Sequence, residues 1–243
     1  MTVEARPEAP VGAPHPVALR MQILTTEHWS LLASRGLAWN ESFSRASMYL
    51  STLSGAMVAL GLVAGITSAG PIFDAFALVI LPVVLFIGVA TFIRMGAANY
   101  HDALAVMGMN RIRGAYLELA PDLAPYFVMG AHDDPPGIEI TMAVPRGSSS
   151  MLRVISATPF VIGVLNGIVG GGIAAVAAAG LLDVGLAPTL LVGAITFGVT
   201  MAIQLRVVRG NMRRGRSAFR PLFPTPSGGG PQPDAGRRGG AAT

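Results

Sequence analysis

Residues 45–94 read RASMYLSTLSGAMVALGLVAGITSAGPIFDAFALVILPVVLFIGVATFIR, and this stretch decides the fold. Twenty-eight uncharged residues separate Arg45 from Asp74, and nineteen separate Asp74 from Arg94. A bilayer core of about 30 Å is crossed by about 20 mostly apolar helical residues, so each interval is long enough to span. Two more such intervals follow, 29 residues between Arg153 and Asp183 and 22 between Asp183 and Arg206. The pattern predicts an all-α membrane protein with four transmembrane helices, at residues 48–68, 72–93, 154–181 and 187–206. Buried helices of a soluble core are the competing reading. Four such intervals in 243 residues leave too little polar surface to cover them.

Composition points the same way. Apolar residues make up 52% of the chain and charged residues 12%, against about 25% charged in an average soluble domain. The mean hydropathy is +0.57. Cys is absent, which excludes disulfides, a thiol nucleophile and a Cys-ligated metal. The residues ahead of the first span carry Pro7, Pro10, Pro14 and Pro16 and no apolar core of signal-peptide kind near Met1. The first span is therefore expected to act as an uncleaved anchor.

All seventeen basic residues are Arg, and all lie on one side of the predicted spans. The links at 69–71 and 182–186 contain no Arg, while Asp74 and Asp183 mark that side. The positive-inside rule then places both termini and the central segment in the cytoplasm. Most of the excess positive charge sits in the C-terminal tail, so the pI of about 10.3 does not argue for a nucleic-acid-binding face. Arg206, Arg209, Arg213, Arg214, Arg216 and Arg220 are expected to lie on the lipid surface.

The cytoplasmic parts divide as follows. Residues 1–20 are Pro/Ala/Glu-rich and predicted to be disordered. Over 21–47 an amphipathic helix is expected, capped by Thr25 or Thr26, with Trp29, Leu32, Gly36, Trp39 and Phe43 on one face. Glu41 and Arg45 are spaced to pair. After the second span the helix should continue, with Leu104, Gly108, Ile112, Ala115 and Leu119 forming a second stripe that Pro121 ends. A tight outer turn makes spans one and two antiparallel neighbours. Their extensions must leave the bilayer together, so Trp29, Leu32, Trp39 and Phe43 are predicted to pack against Leu104, Ile112 and Leu119. A helix lying flat in the headgroups is the alternative, but Glu27 and Glu41 spoil the basic face it needs. Residues 131–137 read as a non-helical turn, and the alternation from Ile138 to Val144 as a short strand. Residues 207–243 form a basic tail expected to be disordered past Pro221.

Candidate chemistry is sparse. His132-Asp133-Asp134 carries metal-ligand types, but His101, Asp102, Glu118 and Asp122 have no motif spacing with them, and a solvated turn is the better reading. Lys is absent, so no Walker loop can be completed, and no G-x-S-x-G or H-E-x-x-H occurs. No enzymatic activity and no cofactor are implied. Asp74, three residues after Pro71, is placed to interact with a helix N-terminus. In the third span Gly163, Gly167 and Gly171 recur every four residues beside Asn166, a ridge suited to close helix contact within or between subunits. Gly61 and Gly65 repeat that spacing in the first span. Pro82 and Pro159 are expected to bend spans two and three.

The stretches Thr26-Glu-His-Trp-Ser-Leu-Leu-Ala-Ser-Arg35, Glu41-Ser-Phe-Ser-Arg45 and Gly108-Met-Asn-Arg-Ile-Arg113 resemble a group of uncharacterised integral membrane proteins of actinobacteria and other high-GC bacteria. The resemblance implies no activity and no site residues. In organisation alone, a helix, a two-span hairpin and a helix, the chain is similar to SLATT-type and Pycsar-type membrane effectors. The expected function is a membrane scaffold or sensor component that docks a cytosolic protein or a second copy of itself. An oligomeric pore or membrane-perturbing effector comes second, and a small-solute transporter third. The expected partners are the lipid bilayer, a further subunit and a cytosolic protein, not nucleic acid.

Overall fold

The computed structural model describes residues 17–68, 70–143, 158–182, 184–218 and 221–226, with side chains omitted over 211–218. It is all-helical, and four of its helices are long and apolar enough to cross a membrane. These are α1 (Val17–Thr67), α2 (Pro71–Leu119), α4 (Thr158–Leu182) and α5 (Leu186–Ala218). A 3-10 turn (Pro121–Tyr126) and the short helix α3 (Pro135–Thr141) lie between the two hairpins.

At about 1.5 Å per residue α1 and α2 are each about 75 Å long. Each exceeds a bilayer core by about 45 Å. The turn joining them is tight. Ser68 takes a left-handed conformation at φ 50°, Gly70 N–H bonds Thr67 O, and Pro71 opens α2. Asp74 stands in the first turn of α2, as its distance from Pro71 predicts. The surplus length of both helices therefore projects from the bundle at the same end, the end that carries Arg45 and Arg94.

Helix α2 is central, packed by α1 on one side and α4 on the other, with α5 held by α4. The core joins Ala46, Tyr49 and Ala56 of α1, Val84, Phe92 and Met95 of α2, and Ile162 and Val169 of α4. The glycine ridge is used inside the chain. Gly163 faces Phe92 and Gln204, Gly167 lies against the Phe197 ring, and Gly171 meets the backbone of Gly193. No side chain would fit between α4 and α5 at Gly171, where a Cβ would sit 2.7 Å from Gly193 O.

Several expectations need correction. The first helix is already formed at Val17, so neither Thr25 nor Thr26 caps it; Thr26 Oγ1 instead donates to Gln22 O. Residues 21–47 and 48–67 are one unbroken helix. Residues 138–141 of the proposed strand and 135–137 of the expected non-helical turn form α3, because Asp134 accepts from Gly137 N–H as N-cap and Pro135 and Pro136 supply a helical first turn; Val144 lies outside the described residues. Pro159 stands in the first turn of α4, where proline is tolerated, rather than at a bend. Helix α5 runs past Arg206 to Ala218. Residues 222–226, expected to be disordered, are held in place for a reason given below. The disorder expected for residues 1–16 and 227–243, and the position of Arg220, lie outside the described residues.

Candidate functional site

The extension of α1 and α2 beyond the bundle is held by polar contacts at successive turns. Asp102, buried on α2, accepts from Arg35 Nε and from Trp39 Nε1 at 3.0 Å. Glu41 receives Arg94 through two nitrogens and Arg45 through one, at 2.9 to 3.0 Å. These guanidinium hydrogen bonds hold the Glu41 carboxyl at about 2. Further out, His28 stacks on Tyr116 at 6.0 Å. Burial, then the charge of Arg113, lowers the His28 pKa. Leu31 packs against Gly108.

These contacts, the approach of Tyr49 to Gly88 and the burial of Ser42 put His28, Leu31, Arg35, Ser42 and Tyr49 on the face that meets α2. The predicted stripe is rotated by about one position. Trp29, Leu32 and Phe43 are exposed, Trp29 by 65%, and do not form the expected contact. Of that stripe only Trp39 is drawn inward, through Asp102 and a stacked Phe43 ring at 5.7 Å. On α2, Ile112 is buried and Leu104 half-buried, while Leu119 is at the edge. The sequence missed the inward face because three of its five members, His28, Arg35 and Ser42, are strongly polar. Histidine, arginine and serine do not register as an apolar stripe, although paired polar groups line a helix interface as well as leucines do.

A second polar cluster ties α2 to the segment after it. Asn110 is fully buried and donates to His132 O at 2.8 Å and Gly137 O at 3.1 Å, while accepting from Arg113 and Thr141. Asp133 and Asp134, expected in a solvated turn, are buried. Asp133 takes Arg111 Nε at 2.7 Å and the N–H groups of Leu222 and Phe223 at 2.8 Å each. Asp134 takes Thr225 N–H at 2.7 Å and its hydroxyl at 2.9 Å. Asp133 N–H returns a bond to Phe223 O. The three prolines of this strap, at 221, 224 and 226, fall where no N–H is used. Burial pushes both carboxyls up, but the N–H donors of the strap, together with Arg111 at Asp133 and the Thr225 hydroxyl at Asp134, outweigh it and hold both below the usual range.

The other predicted residues are scattered. Gly61 and Gly65 look onto open space on α1. Asn166 is fully buried, against Gly88 and Tyr49, and neither of its amide atoms has a hydrogen-bond partner. Arg206 and Arg209 are exposed on α5, and Arg213, Arg214 and Arg216 follow on the same helix. Among the described residues no three His, Cys, Asp or Glu side chains converge as a metal site.

No family model, no curated protein and no solved structure matches the chain.

Proposed function

We propose that this chain is a scaffold or sensor component of the bacterial plasma membrane, without enzymatic activity, with both termini in the cytoplasm. It docks a cytosolic protein or a second copy through the projecting part of α1. The observation that carries this reading is the outward stripe of Trp29, Leu32 and Phe43 on a helix that has left the bundle. Aromatic side chains exposed in water on a rigid helix are a hallmark of association surfaces. The ion pairs beneath them keep that helix straight and its outer face available.

A photo-crosslinking residue placed at 29 tests this in cells. Crosslinks to another polypeptide at 29, absent at the inward position 31, are expected. Equal crosslinking at both positions would refute docking through the outer face.

The pore reading has one observation in its favour. Gly36, Gly61 and Gly65 leave room beside α1 for a second helix. Planar-bilayer recordings of purified protein decide it, since a scaffold passes no current.

A further inference from the structure

Between the spanning halves of α1 and α2 lies a groove of about 280 Å³, open to the surroundings of the bundle. Thr52, Gly55 and Ala59 form one wall, and Ile80 and Val83 the other. The only hydroxyl among these five, on Thr52, is turned back to Met48 O, so the wall is apolar to a guest. At this depth the surroundings are lipid chains.

The same two helix faces carry charge at one end. On α1, Glu41, Arg45, Thr52 and Ala59 follow at intervals of four, seven and seven residues, one side of a helix. On α2, Arg94 follows Val83 by eleven residues, three full turns. Arg45 and Arg94 therefore stand in line with the groove, at the membrane boundary. Their two guanidinium groups share the single carboxylate of Glu41 and leave one net positive charge. All three side chains are between 40 and 52% exposed.

The geometry points to an anionic phospholipid bound here, with one acyl chain in the groove and its phosphate on Arg45 and Arg94. Arg45 is about 10 Å along the axis from Thr52. That is the interval the glycerol linkage and the first methylenes occupy. Charge complementarity selects the lipid over a second copy of the chain. Asp74 stands at the opposite end of α2, and Glu41 at this end is already paired with Arg45 and Arg94, so another copy's first hairpin brings no free anion to this one. The site lies apart from the outward stripe of α1, and it stands whether or not that stripe docks a protein.

Native mass spectrometry of the full chain in mild detergent tests the site, with phosphatidylglycerol, phosphatidylcholine of the same chains, and soluble glycerol phosphate as probes. Wild type should retain phosphatidylglycerol over phosphatidylcholine. Arg45→Gln with Arg94→Gln should reduce that preference by about fivefold for each arginine removed. Gly55→Leu should remove both lipids, because its side chain enters the groove without meeting the protein. Ala59→Leu is an independent variant with the same expectation. Four results would overturn the proposal. One is phosphatidylglycerol retained in all variants. Another is glycerol phosphate bound as well as the lipid. A third is a preference that vanishes only when the six tail arginines from 206 to 220 are neutralised. The last is a Gly55→Leu protein that loses subunits rather than lipid.

Discussion

Arg111 Nε sits 2.7 Å from Asp133 Oδ2, the same oxygen that receives the N–H of Leu222, so one buried carboxylate joins the helix leaving the first hairpin to the strap leaving the second. The hydrogen bonds that hold the strap come from its main chain and from the Thr225 hydroxyl. Asp133→Ala removes three acceptor contacts and leaves Arg111 without this carboxylate. A loss of about 2 to 3 kcal/mol in strap docking is expected, since hydrogen bonds to charged groups are worth about 1.5 to 3 kcal/mol. Hydrogen exchange at Leu222 and Phe223 should accelerate while the spanning helices stay protected. Unchanged exchange at 222 and 223 would mean that other contacts hold the strap.

Acid should release the strap in the same way. Asp133 and Asp134 titrate below the usual carboxylate range when docked. Their contribution is fully present above the ordinary value near 4, and it is lost as the pH falls through the lower, docked values. A spin label on Leu222→Cys, a position with an exposed side chain, should be immobile at pH 7 and become mobile only below about pH 4. Release already well above that pH would mean that these two carboxylates do not control the strap.

Asp102 is the equivalent pivot inside the hairpin. Asp102→Ala leaves Arg35 and Trp39 without their common acceptor. The extension should lose about 2 to 3 kcal/mol, with a red shift in Trp39 emission as the ring gains access to water. A Trp29→Phe background isolates that signal, because these are the two tryptophans of the chain. An emission maximum unmoved by Asp102→Ala would show that the pair does not position Trp39.

Glycines in the bundle should separate by what they face. A Cβ on Gly88 would collide with Asn166 Oδ1 and lie 2.7 Å from the Tyr49 ring. Gly88→Ala should therefore destabilise the protein by about 1 to 3 kcal/mol, the usual range for overpacking. Gly61→Ala meets nothing and should be neutral for the fold of one chain. Thermal unfolding in detergent compares them. Equal effects would remove the case for close α1–α2–α4 packing at Asn166.

The spans were legible because hydrocarbon imposes a simple rule: a run of about 20 apolar residues between charges. The hairpin extension was legible from the short turn at 69–71, which leaves α1 and α2 no other path. Which face of α1 turns inward was not, since Arg35 and His28 mark it only through partners on α2 that are more than 60 residues away in sequence. The strap was hidden for a similar reason. A Pro-rich run reads as disorder locally, and its order comes from two acids about 90 residues earlier that accept its N–H groups. Helix α3 was misread because alternation over seven residues does not outweigh an Asp cap followed by two prolines.

Docking through the projecting part of α1 requires four crossings that leave both arms of the chain on the Arg-bearing side. Paired reporter fusions, one after Thr243 and one at Gly70, test this most directly. The expected result is a cytoplasmic reporter at 243 and an external one at 70. An external C-terminus, or a cytoplasmic Gly70, would contradict the topology on which the docking face is proposed.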